Sequence, residues 1–290
     1  MPKIGVVLAG GASKGAYEIG CLRAIEDWFG LDSIKCISSA SVGSIIAQCY
    51  GNTRAEGLEE AWRGIDTEAF GRFFLNYATN SEIMGTIYNM AIDGPELPYE
   101  HYVSIWNFSK GKLEYVPYHK LSGKCLQKYI RGGCAVPFIT KGEVINGNRI
   151  YDGAFLDNIP AMPLMDKDLD YIFCIYFDNY RYMFENKEFD KKMIKLFDFP
   201  NKHRLELMFF TKSNFDGMIQ YGYDYTTATI RSLFSTNEPE SVYKAIEHRE
   251  RSMVVTYQPR FSADVVLNNL NVMAKRQANR EARRKKQKPQ

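Results

Sequence analysis

The chain has 290 residues, a length that fits one large α/β domain or two domains of ordinary size. Hydrophobic residues make up 45% of it and charged residues 24%, close to the averages for soluble globular proteins, which excludes a disordered or collagen-like polymer. No uninterrupted apolar run approaches the roughly 20 residues that cross a bilayer. An integral membrane protein is therefore not expected.

The formal charge of +3 is unevenly distributed. Residues 275–290 contain eight basic residues and one acidic residue, a charge of +7, which leaves −4 for residues 1–274. We expect one domain over residues 1–274 and a solvated basic tail over 275–290. Such a tail favours peripheral contact with anionic membranes. The alternative is an ordered helix packed on the body, since Ala274, Ala278 and Ala282 have i, i+4 spacing. No nucleic-acid recognition motif accompanies the tail, so a nucleic-acid partner is not expected.

The first fifty residues predict two strand-to-helix units. Residues 3–9 form a short apolar run rich in β-branched residues, which suits a buried parallel strand, and residues 15–29 repeat apolar side chains at helical spacing. Residues 34–38 predict a second strand, and residues 44–50 another helix after a sharp turn. This alternation favours a parallel α/β sheet.

Later elements are less regular. Residues 66–118 carry 11 aromatic residues without clean periodicity, and we interpret them as an insertion that covers the sheet. Asn146-Gly147-Asn148 predicts a hairpin turn between strands at 143–145 and 149–151. The remaining patterns predict a buried strand at 171–177, a charged amphipathic helix at 187–197 and a last strand at 253–257.

The cysteines and the N-terminus bear on the compartment. Six cysteines are scattered without a C-x-x-C pair, which is typical of buried thiols in a reducing environment. The apolar run at residues 4–9 is too short for a secretory signal. We expect a cytoplasmic protein that can associate peripherally with membranes.

A glycine-rich loop, Gly10 to Gly15, lies between the first predicted strand and helix. Unpaired N–H groups and the helix dipole at such a position can hold an anion, either a phosphate or a transient oxyanion. A nucleotide-binding P-loop does not fit, because Lys14 precedes Gly15 and no hydroxyl follows to bind Mg²⁺. The alternative is a glycine turn that only lets helix and strand pack closely.

Residues 39–43 (SASVG) form a variant of the nucleophile elbow G-x-S-x-G. The tight strand-to-helix turn requires small residues two positions either side of the nucleophile, and Ser39 is small enough to replace the first glycine. The turn would raise the Ser41 hydroxyl above the sheet at a helix N-terminus, where developing negative charge is favoured. The alternative is that Ser41 only caps the following helix.

A third motif, Asp152-Gly153-Ala154, follows the predicted hairpin, with Asn158 and Pro160 after it. Taken alone, an Asp-Gly pair there is as consistent with a turn as with a catalytic carboxylate.

In this order and context, the three motifs resemble the patatin-like phospholipase family. The matching segments are residues 7–25, 38–47, 134–138 and 151–160, with a weaker match at 221–228. The resemblance implies a three-layer α/β/α fold with a mainly parallel central sheet. It also implies hydrolysis of lipid acyl esters by a serine–aspartate dyad.

By the same resemblance, Ser41 would be the nucleophile and Asp152 the base. The oxyanion loop would comprise Gly10, Gly11, Ala12 and Lys14. Ala12 stands where the family usually has a third glycine, and a left-handed backbone there would cost roughly 1–2 kcal/mol. This departure and Ser39 remove no reacting group, so they bear on the rate of the reaction more than on its identity.

The remaining titratable residues do not suggest another mechanism. A serine-first triad would need a histidine in a late loop, whereas His203 and His248 lie in charged, helical surroundings. We expect surface or structural roles for all four histidines. No cluster has the spacing of a zinc or calcium site, so neither a metal nor another cofactor is expected.

The substrate predicted from the resemblance is a phospholipid or related acyl lipid. A lysophospholipid, a neutral glyceride or an acyl thioester would use the same dyad, and a non-catalytic lipid-binding descendant is a further alternative. The aromatic segment 66–118 would form an acyl-chain channel or a lid, unless its rings are ordinary core.

Overall fold

The structure is a computed structural model, and it describes residues 1–64, 91, 96–178, 180–197, 212–235, 238–253 and 255–260. The strands within these ranges are β1 (Ile4–Leu8), β2 (Ile34–Ser39), β3 (Glu100–Asn107), β4 (Lys112–Pro117), β5 (Glu143–Ile145), β6 (Asn148–Asp152), β7 (Tyr171–Ile175), β8 (Tyr180–Phe184), β9 (Met193–Leu196) and β10 (Thr256–Arg260). The α-helices there are α1 (Gly15–Phe29), α2 (Val42–Arg63), α3 (Gly123–Gly133), α4 (Lys187–Asp190), α5 (Lys212–Leu233) and α6 (Pro239–Ser252).

Eight strands form the central sheet. Its order is β5-β6-β3-β2-β1-β7-β9, with β4 on the other edge of β3. Strands β3, β2, β1, β7 and β9 are parallel, whereas β4 and β6 run antiparallel to β3. Helices pack on both sides of this sheet. The predicted three-layer α/β/α fold with a mainly parallel sheet is confirmed.

The apolar runs that predicted buried strands at residues 3–9 and 171–177 form the centre of the sheet. Every residue of β1 and of β7 is buried, as expected for parallel strands covered on both faces. The predicted hairpin is also confirmed, since β5 and β6 are joined through Asn146 and Gly147, both at positive φ (49° and 76°).

The helix predicted at 187–197 is wrong in its second half. Only Lys187–Asp190 is helical, and Met193–Leu196 forms β9 beside β7. The charged residues of this segment favoured a helix with an exposed face. The Lys195 side chain is instead 1% exposed, and its ammonium lies 2.9 Å from Asp190 and 3.2 Å from Glu250. Because its single positive charge is paired with two carboxylates, this lysine can lie inside the core.

Two other expectations are corrected. The last described strand lies at Thr256–Arg260, three residues later than predicted, and pairs with β8 in a separate two-stranded sheet. Four of the six cysteines are buried, whereas Cys134 is partly exposed and Cys125 is exposed.

The aromatic segment is described only from residue 96 onward, apart from residue 91. Its described part supplies β3 and β4, with Trp106 and Tyr118 buried. Residues 65–90 and 92–95, with which the channel or lid hypothesis is also concerned, lie outside the described residues, as does the basic tail 275–290. Among the described helices, none has the length and apolar character needed to cross a bilayer.

Helix α1 carries the glycine loop at its start and is fixed by close packing against α5. A Cβ on Gly20 would lie 1.9 Å from the Ile219 carbonyl oxygen, and a Cβ on Gly222 would lie 2.3 Å from that of Tyr17. The two backbones therefore touch at a pair of glycines, with no room for a methyl group on either side. This contact holds residues 221–228 against the helix that leaves the candidate site.

We expect Gly222→Ala to destabilise the fold by at least about 2 kcal/mol, because the added methyl group must separate two backbones. Gly217→Ala is the matched control in the same helix, since its Cβ would meet no atom within 4 Å. That change should stabilise the protein by up to about 1 kcal/mol through helix propensity. Urea denaturation of both variants checks the packing, and equal effects of the two would contradict it.

Candidate active site

Strand register brings the three motifs to one place. Leu8 pairs with Ser39, so the glycine loop and the elbow leave the sheet side by side. Along β3, Val103 pairs with Ser39, and two residues further on Ile105 pairs with Asp152. Because β6 takes over from β2 as the neighbour of β3, Asp152 lies at the level of Ser41.

Ser41 sits in a strained turn between β2 and α2. Its backbone has φ 52° and ψ −127°, a conformation that non-glycine residues adopt rarely and at a cost of about 1–3 kcal/mol. The turn is closed by the Ala40 N–H, which donates to the Leu8 carbonyl at 3.0 Å. A Cβ on Gly43 would lie 2.9 Å from that carbonyl oxygen, so the last small residue of the elbow is a steric requirement.

Three donors converge on the Ser41 carbonyl and hold the turn. The Ser44 N–H lies 2.9 Å from it, the Ser44 hydroxyl 2.6 Å and the Cys134 thiol 3.5 Å. Burial raises the pKa of the Cys134 thiol, so it remains a neutral donor. The sequence did not predict that Ser44 and Cys134 would hold this turn. For Cys134 the reason is that its contact joins positions 93 residues apart.

Ser39, the departure at the start of the elbow, is fully buried and has a partner. Its hydroxyl lies 2.8 Å from His101 Nε2, and His101 Nδ1 lies 3.0 Å from Gln48 Oε1. Because an amide oxygen only accepts, Nδ1 carries the proton and Nε2 accepts from Ser39. Burial, with a smaller effect of nearby His119, lowers the pKa of His101 to about 3. This histidine is therefore a neutral structural group beneath the elbow.

Asp152 is the last residue of β6 and is 5% exposed. Its carboxylate accepts a hydrogen bond from the Ala154 N–H at 2.9 Å. The Ser41 hydroxyl lies close enough to lower the pKa of this carboxyl. Its own N–H donates to the Ala135 carbonyl at 3.0 Å. The next residue must be glycine, since a Cβ on Gly153 would lie 2.2 Å from the backbone of β3.

The surroundings of Asp152 make it a stronger base than an exposed aspartate. Burial raises the pKa of its carboxyl from 3.8 to about 6, while the Ser41 hydroxyl and the Ala154 N–H oppose the rise. A carboxylate with this pKa still ionises below neutral pH, yet holds a proton more tightly than an ordinary aspartate.

The backbone N–H groups of the glycine loop differ in whether they are already hydrogen-bonded. The Gly10 N–H donates to Asn158 Oδ1 at 2.9 Å, and Asn158 Nδ2 donates to the Gly10 carbonyl at 3.1 Å. A Cβ on Gly10 would lie 2.8 Å from Ser41 Cβ, so this glycine provides close approach and its N–H is already engaged. Among the described residues, the N–H groups of Gly11 and Ala12 have no acceptor.

Ala12 and Lys14 complete the loop. Ala12 has φ 54°, the left-handed conformation considered from the sequence, so the strain of the missing third glycine is present. The ring of Phe177 packs against Gly11, and the Lys14 ammonium lies 5.3 Å from the centre of that ring. Lys14 adds positive charge beside the loop.

Asn158 connects the third motif to the glycine loop through its two hydrogen bonds with Gly10. Its position in the sequence, six residues after Asp152, did not predict this role. The preceding residue, Asp157, is buried and accepts from the Tyr115 hydroxyl at 2.6 Å and from Arg260. These contacts fix the segment after Asp152 to β4 and β10. Within the described part of the chain, no group of three or more His, Cys, Asp or Glu side chains is placed to hold a metal ion.

Comparisons with known proteins agree with this site. The family model described as Patatin-like phospholipase matches residues 6–165, more than half of the chain. Proteins named Lysophospholipase NTE1 from Cryptococcus neoformans var. neoformans and Eremothecium gossypii are 26% and 24% identical over 183 and 186 residues. Those matches cover 58% and 59% of this chain but 11% and 12% of the relatives. The chain thus spans about a tenth of the length of the curated relatives it matches.

Solved structures give weaker likenesses. VipD from Legionella pneumophila aligns with a TM-score of 0.44 at 12% identity, covering 80% of this chain and 67% of that one. ExoU from Pseudomonas aeruginosa, solved with SpcU, aligns with a TM-score of 0.40 at 12% identity, covering 86% of this chain and 59% of that one.

The family model matches residues 6–165, and this range contains the glycine loop, the elbow and the Asp152-Gly153 motif, which the fold brings together. The chain belongs to the patatin-like phospholipase family.

Proposed function

We propose that this protein is a lipid acyl hydrolase in which Ser41 is the nucleophile and Asp152 the base. The observation that carries the proposal is that strand register brings the buried Asp152 carboxyl to Ser41, whose hydroxyl lowers its pKa. Ser41 itself lies in a strained elbow beside two N–H groups without acceptors. A helix-capping serine would need neither the strain nor the carboxylate. Indeed, the Ser41 side chain makes no capping hydrogen bond to α2.

The reaction proceeds in two halves. Asp152 accepts the Ser41 proton while Oγ attacks the ester carbonyl carbon, and the N–H groups of Gly11 and Ala12 stabilise the negative charge that develops on the carbonyl oxygen. Asp152 then gives its proton to the leaving alcohol. Water, activated by the same carboxylate, hydrolyses the acyl-enzyme and restores both groups.

The proposed substrates are esters of a particular class of lipid. We propose phospholipids or lysophospholipids, because the family model is described as a phospholipase and the relatives are named lysophospholipases. Neutral glycerides and acyl thioesters fit the same dyad and serve as comparison substrates.

The first test removes the nucleophile and the base separately. We expect Ser41→Ala and Asp152→Asn each to lower ester turnover by about 10³-fold or more while the protein stays folded. Ser122→Ala is the matched control, because Ser122 also precedes a helix without a capping side-chain hydrogen bond. Covalent labelling by a fluorophosphonate should be lost in Ser41→Ala alone among the serine variants. Near-normal turnover by Asp152→Asn, or inactivation of the wild type by EDTA, would rule out the metal-free dyad.

The second test is the pH profile. The base must be ionised to accept the Ser41 proton, so kcat/KM should rise tenfold per pH unit at low pH and level off above about 6, the pKa of Asp152. His119→Gln should keep this inflection, since the imidazole takes no part in the reaction. A profile that levels off near pH 4 would contradict the raised pKa of Asp152.

The third test is the stability of Asp152→Asn. The folded-state pKa is raised above the unfolded value, so the contribution of this group to stability is complete below about pH 4 and is lost as pH rises through about 6. Asp152→Asn should therefore stabilise the protein by up to about 3 kcal/mol at pH 8 and have little effect near pH 3.5. Urea denaturation at both pH values measures this, and a destabilised variant at pH 8 would contradict the burial of an ionised carboxylate.

A further inference from the structure

Three apolar side chains stand exposed beside the dyad. Phe138 is 79% exposed, Phe155 52% and Ile139 49%, and we call these three residues the apolar rim. Phe155 follows Asp152 by three residues. The segment that carries Phe138 and Ile139 begins at Cys134, whose thiol contacts the Ser41 carbonyl. The apolar rim thus borders the candidate site.

The apolar rim is supported from below. The rings of Phe138 and Phe155 lie 6.4 Å apart, and each lies 6.4 Å from the ring of buried Trp106. Phe138 has φ 70°, which costs free energy in a phenylalanine. An exposed ring on a strained backbone contributes little to the stability of the fold. We therefore expect its apolar surface to be buried against a binding partner.

The segment of chain that carries Phe138 and Ile139 is rich in basic residues. Residues 108–149 contain eight lysines and arginines and two acidic residues, whereas residues 1–274 together carry −4. Lys141, two residues after Ile139, is exposed, and the Arg149 guanidinium donates to its carbonyl. The Tyr151 hydroxyl also donates to that carbonyl, at 3.2 Å, and the Tyr151 ring lies 6.1 Å from that of Trp106. Trp106 and Tyr151 thus connect the two phenylalanine rings to the backbone of Lys141, to which Arg149 is also hydrogen-bonded.

We propose that the apolar rim inserts into the surface of an anionic phospholipid membrane, with Lys141 and Arg149 contacting lipid phosphates. Exposed aromatic side chains next to cations fit the boundary between headgroups and acyl chains. This orientation places the dyad over the bilayer, so the inference rests on the proposed function and specifies how a lipid would reach Ser41. It is independent of the basic tail.

The test measures binding of the full-length protein to vesicles by flotation. All variants carry Ser41→Ala, so that no lipid is consumed and the result does not depend on catalysis. We expect Phe138→Asn and Phe155→Ser each to weaken binding to phosphatidylcholine–phosphatidylglycerol vesicles about tenfold or more, since each removes a large apolar side chain from the contact. Asn tolerates the left-handed backbone of position 138.

Trp28→Ala is the matched control. Trp28 is 45% exposed, similar to Phe155, but lies near the far end of α1, a 15-residue helix about 20 Å long that starts at the glycine loop. Its removal should leave binding unchanged. Lys141→Gln with Arg149→Gln should weaken binding to the anionic vesicles at low salt and have little effect on pure phosphatidylcholine vesicles.

A second measurement does not depend on loss of function. Phe155→Trp should be quenched by lipids brominated in their acyl chains, beyond any quenching of the protein without this substitution. Quenching would place position 155 inside the bilayer.

Three results would overturn the proposal: unchanged binding in both ring variants, equal loss in Trp28→Ala, or no quenching at position 155. If vesicle binding weakens with added salt but is unchanged by Phe138→Asn and Phe155→Ser, membrane contact would be assigned to the basic tail alone. Failure of the dyad would instead appear as undiminished turnover in Asp152→Asn, which the vesicle assay does not read.

Discussion

The burial of the Asp152 carboxyl beside the Ser41 hydroxyl is the constraint on which the candidate site depends. Exposed aspartate is a weak base toward a serine hydroxyl, and burial is what strengthens it. The sheet provides this burial, because β6 succeeds β2 as the neighbour of β3 and ends beneath the segment that begins at Cys134. The position of Asp152 is therefore a consequence of strand register.

The residues that depart from the family pattern are accommodated in different ways. Ser39 fills the place of a glycine, and its hydroxyl is satisfied by a neutral, buried His101. Ala12 has a positive φ of 54° and carries the strain of that conformation. Neither change removes a donor from the loop, and the three donors on the Ser41 carbonyl stabilise the strained elbow independently of both.

Sequence predicted the features that depend on local pattern. The buried parallel strands, the glycine loop, the elbow and the Asn-Gly hairpin are each encoded within a few neighbouring residues. Contacts between distant residues could not be predicted in this way, such as Asn158 with Gly10 at a separation of 148 positions. Strand β9 was predicted as a helix for the same reason, because the partners that allow Lys195 to be buried lie on α4 and α6.

The proposed reaction requires Asp152 to be a buried carboxyl that ionises near pH 6, above the usual value of an aspartate. Infrared difference spectra of the wild type and Asp152→Asn, recorded between about pH 4 and 8, observe this group directly through its protonated carbonyl band. The band should be present at low pH in the wild type, absent from the variant, and lost with a midpoint near the pKa of about 6. A midpoint near 4, or no band that depends on Asp152, would contradict the account.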